Sequence, residues 1–422
     1  MYVINGDNPT KMYFQTLQDL MNEGDKAAPR GKPILEMRPA CLEFTNPYNR
    51  VTFLRGRRIN PFFQIAESLW ILSGRADVEW LKVFNSNIAQ FSDDGKWFNA
   101  AYGERMRAWN KNALHSTIIN PIDQLADVYT KIVADPDTRQ AVIVLSNPMF
   151  DNSTYTIGER GLDVSCNLCI TFKVRNNQLH MTVFNRSNDI HWGVFGANLC
   201  QFTTIQEVLL NWLRKSGNSQ LAELEMGAYS QITDSLHVYL DDYGSKITDE
   251  VMGQYNSEPA QTSLDFQFKF KDEPKMELGA SEFNEFLARF WNILNPYLMN
   301  DEFILDESQR NDIFNPAQDS IVGIWLRTNV IDSYWNFAIQ AMVAYRLAKL
   351  GRADMSLEVL ETTENCQWKA SMVYFLKPFL RKVITNQQVA NRYSDIVRSL
   401  CSSLNSGSEV LIDYLKFDEG KD

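Results

Sequence analysis

The chain has 422 residues, 45% of them hydrophobic, and its 41 basic and 52 acidic residues give a formal net charge of −11. This length allows roughly two to three domains with a sizeable core. The acidic balance argues against a general nucleic-acid coat or an anionic membrane surface as partner, so an anionic small ligand would need a local basic pocket.

The first residues, MYVINGDNPT, lack the basic-then-apolar pattern of a signal peptide, and no apolar run approaches the length of a membrane span. Six cysteines in a chain of this size do not form a disulfide framework. We therefore expect a cytoplasmic protein with reduced thiols and with neither nucleic acid nor membrane as partner.

Residues 59–74, INPFFQIAESLWILSG, predict a helix with Asn60 as its cap, Pro61 in its first turn and Gly74 past its end. Glu67 lies at helical spacing from the apolar residues, so its carboxylate is predicted to point into the apolar face. Two interpretations stay open: a structural ion pair, or a carboxyl with a raised pKa that passes protons.

The middle of the chain predicts a sheet followed by a long buried helix. Alternating apolar residues predict strands, two of which are joined by a hairpin at Asn176 and Asn177. Apolar residues at helical spacing from residue 198 predict a helix that stops at Gly217. Sheet and helix together indicate the α+β class. The predicted strands are residues 141–148, 170–174 and 179–186.

Cys166 precedes this hairpin, which returns Arg186 and Asp189 toward it. A cysteine is a useful nucleophile only as the thiolate, and a nearby guanidinium lowers a thiol pKa from about 8.5 while also holding a substrate phosphate. The pairing predicts covalent chemistry on an anionic substrate. Cys169 completes a C-x-x-C motif, but no second such motif or nearby histidine completes a metal site, so we predict no metal.

The segment SLHVYL at residues 235–240 places His237 and Tyr239 on one face if it is extended, where both can reach the same ligand. From about residue 246 the chain becomes polar, and the segments beyond are helical and rich in aromatic residues. Their methionine and aromatic stripes favour core packing. We predict one domain over residues 1–245 and a mainly helical extension of unknown role over 246–422.

Seven motifs occur in an order that resembles the thymidylate synthase superfamily, which includes the deoxycytidylate and deoxyuridylate hydroxymethylases. They are the helix with Glu67, AAYGERMRAW, DQL, DPDTRQAVIVLSNP, the Cys166 strand, NRSNDIHWG and SLHVY. The resemblance covers roughly residues 10–245. It implies a thymidylate synthase-like mixed sheet with flanking helices, in which residues 1–245 form the catalytic domain.

By this resemblance, Cys166 matches the nucleophile that adds to C6 of a pyrimidine nucleotide. Glu67 matches a glutamate that acts on the base through ordered water, and Tyr102 matches its companion in proton transfer. Asp189 resembles the aspartate that binds the pterin ring. The implied co-substrate is methylenetetrahydrofolate, whose one-carbon unit goes to C5, where hydride gives methyl and water gives hydroxymethyl.

The resemblance also implies how the nucleotide is held. Arg186 and Ser187 resemble phosphate ligands, and a bidentate guanidinium suits a phosphate dianion. Arg30 aligns with another phosphate-binding arginine. Arg139 matches an arginine that reaches the phosphate in the partner subunit, which implies a homodimer. The pair that reads the sugar 3′-hydroxyl is matched by His237 and Tyr239.

Some positions depart from an ordinary thymidylate synthase. Asn167 stands where histidine usually follows the nucleophile, and Gln140 replaces the second of two arginines. Ile88 matches a folate-contacting isoleucine, but Ala89 stands where tryptophan normally follows. The smaller side chain opens the wall beside the exocyclic carbon, so we predict that water outcompetes hydride and that the product is hydroxymethyl.

The base reader is ambiguous, because an ungapped alignment puts Ala197 where synthases have asparagine. We predict Asn198 as the reader, since an amide can serve the donor–acceptor edge of uracil. The favoured substrate is therefore dUMP. Three alternatives stay open: a dCMP hydroxymethylase, an ordinary thymidylate synthase that converts dUMP to dTMP, and a non-catalytic nucleotide-binding protein.

Overall fold

A computed structural model describes residues 1–109, 121–151, 163–271, 273–306 and 332–417. The chain divides into two compact units, the first formed by residues 1–59 and 63–265 and the second by residues 60–62 and 266–422. Among the described residues, no helix has both the length and the apolarity that crossing a membrane requires.

The first unit contains two mixed sheets, which confirms the predicted α+β class. A six-stranded sheet has the order β1-β4-β9-β7-β6-β5, and a four-stranded sheet has the order β2-β3-β10-β8. The strands are β1 Tyr2–Gly6, β2 Asp25–Ala27, β3 Ile34–Met37, β4 Ala40–Phe44, β5 Val142–Val144, β6 Asn167–Arg175, β7 Gln178–Asn185, β8 Asn188–Asp189, β9 Glu225–Thr233 and β10 Leu236–Tyr239.

Strands β6 and β7 form the predicted antiparallel hairpin. Its turn residues Asn176 and Asn177 have φ values of 52° and 59°, the left-handed region that asparagine tolerates better than most residues. The pairing register shifts between Asn167 and Cys169, so that Leu168 is an extra residue in β6. Such bulges redirect neighbouring side chains, and this one lies directly after Cys166.

The helices of the first unit flank these sheets. The predicted helix around Glu67 spans Pro61–Leu72, and Gly74 beyond its end has a φ of 68°. The long central helix, Leu199–Arg214, is buried along its whole length up to Leu213. The unit's α-helices are α1 Pro9–Glu23, α2 Pro61–Leu72, α3 Val78–Phe84, α4 Tyr102–Arg107, α5 Gln124–Ala134, α6 Pro148–Asp151, α7 Leu199–Arg214, α8 Asp242–Gln254 and α9 Glu258–Thr262.

Shorter helices of other pitch connect these elements. A π-helix, Ile190–Asn198, runs directly into α7, and its first turn is capped by Asp189. No pattern in the sequence predicted this π-helix. The 3-10 helices of the first unit are Pro29–Gly31, Ile88–Phe91 and Ser263–Asp265.

The second unit is helical in its described part, and its interior is rich in aromatic side chains such as Phe283, Phe290 and Trp335. Residues 307–331 of the predicted extension lie outside the described residues. The predicted boundary at residue 245 stays a prediction, and α8 continues across it within the first unit. The helices here are α10 Ala280–Arg289, the π-helix Phe290–Leu294, α11 Asn295–Leu298, α12 Asp301–Leu305, α13 Ser333–Lys349, α14 Ala353–Glu361, α15 Gln367–Leu380, α16 Gln387–Ser402 and α17 Ser408–Leu415.

Candidate active site

Cys166 lies just before β6 and is partly buried. The hairpin brings Arg186 to it, as the sequence predicted, and Ser187 comes with it. Arg186 Nη2 is 3.6 Å and Ser187 Oγ is 3.8 Å from the Cys166 Sγ. The main-chain N–H of Arg186 also donates to the Cys166 carbonyl oxygen at 3.0 Å. Thiol, guanidinium and hydroxyl therefore form one compact group.

The exposed Arg186 guanidinium also holds the main chain that precedes the nucleophile. Its Nε donates to the Ser165 carbonyl oxygen at 2.8 Å, and its Nη2 donates to that of Val164 at 3.0 Å. Its Nη1 donates to Ser187 Oγ at 3.2 Å. One side chain thus positions the thiol and presents positive charge beside it, where an anionic ligand can bind.

Tyr102 begins α4 and contacts the residue that follows the nucleophile. Its hydroxyl oxygen accepts a hydrogen bond from the Asn167 main-chain N–H at 3.4 Å. Burial, together with the nearby Cys166 thiol, raises the pKa of Tyr102. The phenol therefore keeps its proton at neutral pH and is available as a donor.

Glu67 lies on the inner side of α2 and is partly buried. Gln201 Nε2 of α7 donates to Glu67 Oε2. Burial raises the pKa of the Glu67 carboxyl to about 8, although the Gln201 hydrogen bond acts in the opposite direction. The group is therefore mostly protonated at neutral pH, as the proton-passing interpretation requires. Sequence reasoning missed Gln201, because its partner is distant in the chain.

Asp189 caps the π-helix and lies in Cα register with His237 of β10. Its carboxylate accepts three main-chain N–H groups, those of His191 at 3.1 Å, Trp192 at 2.6 Å and Gly193 at 3.3 Å. The Trp192 side chain is 43% exposed beside this cap. An aspartate directly before a helix is a capping signal that could have predicted this role from the sequence.

His237 and Tyr239 lie together on β10, with ring centroids 5.0 Å apart. Burial raises the pKa of Tyr239, the Asp189 charge adds to this effect, and the Arg30 charge opposes it. Arg30, exposed in the 3-10 helix Pro29–Gly31, therefore lies within electrostatic range of the pair. The structure brings these three predicted ligands to one side of the site.

Asn198 ends the π-helix and is buried among other side-chain amides. Its Nδ2 donates to Asn167 Oδ1 at 3.3 Å and to Asn188 Oδ1 at 3.2 Å. Asn188 Nδ2 donates in turn to Gln231 Oε1 at 2.7 Å. Since Asn167 follows Cys166 and Asn188 follows Ser187, this amide cluster adjoins the nucleophile. Its partners were not predicted.

The two remaining predicted ligands are Arg139 and Ile88. Arg139 is exposed between α5 and β5, and Ile88 is buried in the 3-10 helix Ile88–Phe91. Across the described parts of this chain, neither side chain makes a hydrogen bond or ion pair with the cluster around Cys166. No group of three or more His, Cys, Asp or Glu side chains that could hold a metal ion occurs in the described residues.

Comparison with known proteins agrees with this arrangement. The family model described as thymidylate synthase matches residues 11–287. A deoxyuridylate hydroxymethyltransferase of Bacillus phage SP01 is 45% identical over 381 residues, which cover 89% of this chain and 94% of the relative.

Two further relatives carry the same name. The deoxyuridylate hydroxymethyltransferase of Pseudomonas phage M6 is 32% identical over 241 residues, 57% of this chain and 62% of the relative. That of Delftia phage PhiW-14 is 31% identical over 209 residues, 48% of this chain and 52% of the relative.

Proposed function

The chain belongs to the thymidylate synthase family, and from this premise we propose that it transfers a one-carbon unit from methylenetetrahydrofolate to C5 of dUMP and releases 5-hydroxymethyl-dUMP. We infer uracil as the base and hydroxymethyl as the product from the 45% identity of this chain to a deoxyuridylate hydroxymethyltransferase, over 94% of that relative. The contacts of Cys166 with Arg186 and Ser187 support the covalent step.

In the proposed reaction the Cys166 thiolate adds to C6, and the ring electrons move toward O4 and C5. Glu67, protonated at neutral pH, stabilises the developing charge on O4 through water. C5 then attacks the one-carbon unit that methylenetetrahydrofolate supplies.

The C5 proton is lost, tetrahydrofolate leaves, and an exocyclic methylene remains on the ring. The oxygen of water adds to this methylene, and Cys166 Sγ leaves C6. The sum is dUMP, methylenetetrahydrofolate and water giving 5-hydroxymethyl-dUMP and tetrahydrofolate, with no net oxidation or reduction. This release of tetrahydrofolate distinguishes the reaction from a hydride transfer that yields dihydrofolate.

The remaining predicted residues are proposed to hold the two substrates. Arg30, Arg186 and Ser187 would bind the phosphate, while His237 and Tyr239 would bind the sugar hydroxyl. For the folate, the Asp189 carboxylate and the exposed aromatic face of Trp192 fit a pterin with hydrogen-bonding and stacking edges. Ile88 is the proposed apolar contact. Because both proposed substrates are intracellular metabolites, we place the reaction in the cytoplasm.

A homodimer is the proposed active unit, with Arg139 acting on the partner subunit's phosphate. Burial alternates along the strands of the six-stranded sheet, so Ile170 and Phe172 are buried while residues between them are partly exposed. At the edge strand β5, Val142 and Val144 are 36% and 44% exposed. Exposed valines on an edge strand, whose backbone groups can pair with another chain, support a protein interface.

Mass analysis of the nucleotide formed from dUMP and methylenetetrahydrofolate tests the activity. We expect 5-hydroxymethyl-dUMP, with tritium released from C5 and no dihydrofolate. Stoichiometric dihydrofolate would identify a thymidylate synthase, and a preference for dCMP would identify a cytidylate hydroxymethylase. Absence of product and of a covalent adduct with 5-fluoro-dUMP would favour the non-catalytic alternative.

Mixing two inactive variants tests the dimer. In a heterodimer of Arg139→Ala and Cys166→Ala subunits, one of the two shared sites keeps both residues. Random assortment then restores about a quarter of the wild-type activity, because half of the dimers are mixed. No recovery from a refolded mixture that is shown to be dimeric would reject the sharing of Arg139.

A further inference from the structure

Four buried side-chain amides link a main-chain carbonyl to the proposed base reader. Gln231 Nε2 donates to the Val194 carbonyl oxygen at 3.1 Å, and Gln231 is fully buried. Asn188 Nδ2 donates to Gln231 Oε1 at 2.7 Å, and Asn198 Nδ2 donates to Asn188 Oδ1 at 3.2 Å. Together with Asn167, we call these residues the amide relay.

The contact of Gln231 with the Val194 carbonyl oxygen determines which amide atom, oxygen or nitrogen, each later residue of the relay turns toward its neighbour. A main-chain carbonyl oxygen can only accept, so Gln231 must turn its amino group toward Val194. Its oxygen then faces Asn188, which must answer with its own amino group. The Asn188 oxygen in turn faces Asn198 and holds the amino group of that residue.

The amino group of Asn198 has no capacity left for a ligand. One hydrogen goes to Asn188, and the other goes to Asn167 Oδ1 at 3.3 Å. Among the described residues, no hydrogen-bond partner is seen for Asn198 Oδ1. The relay therefore leaves this residue with an acceptor only.

Uracil and cytosine differ at the atom that such an acceptor reads. N3 of uracil carries a hydrogen, whereas N3 of neutral cytosine carries a lone pair. We propose that the amide relay fixes Asn198 Oδ1 as an acceptor for N3–H, so that Asn188 and Gln231 act as positioning residues that select uracil over cytosine. This inference rests on the proposed function for the identity of the substrate.

Gly193 packs closely against Asn188 of the relay. A Cβ atom at Gly193 would lie 2.1 Å from Asn188 Oδ1, a distance that no real contact allows. The absence of a side chain therefore lets the backbone close against Asn188, which is itself buried. Asn188 is packed as well as hydrogen-bonded, and its amide has little freedom to turn.

Equilibrium binding of dUMP and dCMP to the full chain tests the relay without requiring turnover. The variant is Gln231→Met, which keeps the side-chain length but removes both the donor and the acceptor. Asn188 can then rotate, and Asn198 can present its amino group to cytosine. We expect the preference for dUMP over dCMP to fall by about 10- to 100-fold, the range for one mispaired buried hydrogen bond.

The double variant Gln231→Met with Asn188→Asp is the rescue. An ionised carboxylate has no N–H, so it can only accept from Asn198 Nδ2, and we expect the dUMP preference to return. The matched control is Gln206→Met, another buried glutamine, which donates to the main-chain carbonyls of Leu179 and Gly227. Gln206 is outside the relay, so the Gln206→Met variant should keep the wild-type ratio of dUMP affinity to dCMP affinity.

The proposal would be overturned if Gln231→Met kept the wild-type ratio of dUMP affinity to dCMP affinity. It would also be overturned if the double variant did not regain the preference for dUMP. If Gln231→Met fails to fold, Asn188→Leu gives the decision, because it removes the acceptor that holds the Asn198 amino group: a lowered preference for dUMP supports the relay, and an unchanged preference rejects it. The proposed function fails separately, when wild-type protein that binds dUMP selectively forms no 5-hydroxymethyl-dUMP.

Discussion

Buried amides at the candidate site and two buried lysines of the second unit serve different purposes. At the site, side-chain amides bond to one another or to Glu67, and Asn167 Nδ2 and Gln201 Oε1 are buried without a partner in the described residues. In the second unit, Lys369 and Lys377 are buried, and each donates to a main-chain carbonyl oxygen, that of Thr363 at 2.9 Å and that of Lys416.

The positions of those carbonyls explain the difference. Thr363 lies just beyond the C-terminal end of α14, and Lys416 lies just beyond that of α17. The last carbonyl groups of a helix lack donors within the helix and attract cations. The two lysines therefore complete the fold. Unpartnered polar atoms are rare in protein interiors, and these two belong to Asn167, which follows Cys166, and to Gln201, which donates to Glu67. In these examples, buried polar groups complete helix ends in the second unit and adjoin the candidate site in the first.

The largest effect that this contrast predicts is for Cys166→Ala. Without the thiol no adduct at C6 forms, and we expect kcat to fall by at least about 10⁴-fold. The measurement is product formation, together with mass detection of the covalent 5-fluoro-dUMP complex. Cys169→Ala, three residues along the same segment, is the matched control and should keep the complex. Normal turnover by Cys166→Ala would refute the covalent mechanism.

A smaller loss is expected for Glu67→Gln, because general acid–base groups contribute about 10²- to 10⁴-fold. The raised pKa of about 8 means that Glu67 is protonated below that pH and ionised above it. Wild-type kcat should therefore decline as pH rises through about 8, and the variant should lack this decline. Glu79→Gln, an exposed carboxyl on α3, serves as control. A shared pH profile would exclude Glu67 as the titrating acid.

Gln201→Leu should have an intermediate effect. Its hydrogen bond favours the ionised form of Glu67 and lowers the pKa of that carboxyl, so its loss should move the alkaline limb of the pH profile upward. We expect about a 10-fold loss of kcat from a misplaced carboxyl. The readout is the full pH dependence of kcat. An unmoved limb would show that Gln201 does not act through Glu67.

In the second unit, Lys369→Met should leave turnover per folded molecule unchanged. Burial lowers the pKa of Lys369 from its ordinary 10.5 to about 8. Between these values the unfolded chain binds more protons, so this lysine contributes stability that rises with pH.

The difference in unfolding free energy between wild type and Lys369→Met should therefore grow in favour of the wild type from pH 8 toward 10, as denaturant titrations would measure. The exposed Lys382→Met is the control. A difference that is independent of pH would show that Lys369 is not perturbed.

Local patterns in the sequence predicted much of this structure. Pro61 and Gly74 bracket the Glu67 helix, and the paired asparagines at 176 and 177 predicted the turn that carries Arg186 back to Cys166. These features depend on residues close in the chain. Because side chains two positions apart share one face of a strand, the segment SLHVYL predicted that His237 and Tyr239 lie together, as they do on β10.

What the sequence did not reveal depends on contacts between distant elements. Gln201 meets Glu67 across 134 positions, and Asn188 meets Gln231 across 43. No periodicity encodes such pairs. The π-helix before α7 also changes the pitch ahead of Asn198, so an ungapped alignment could not decide between Ala197 and Asn198.

Gly193 contacts two residues of the site: its N–H donates to the Asp189 carboxylate, and its α-carbon packs against Asn188. A pterin bound to Asp189 would shift the backbone that packs against Asn188, the residue proposed to orient the base reader Asn198. Binding of the nucleotide and binding of the folate would then be coupled through the protein, in addition to their direct contact at C5. Thermodynamic linkage makes this influence mutual, so the affinity that either substrate gains from the other is the same factor. Cooperativity between them would therefore depend on one residue that has no side chain.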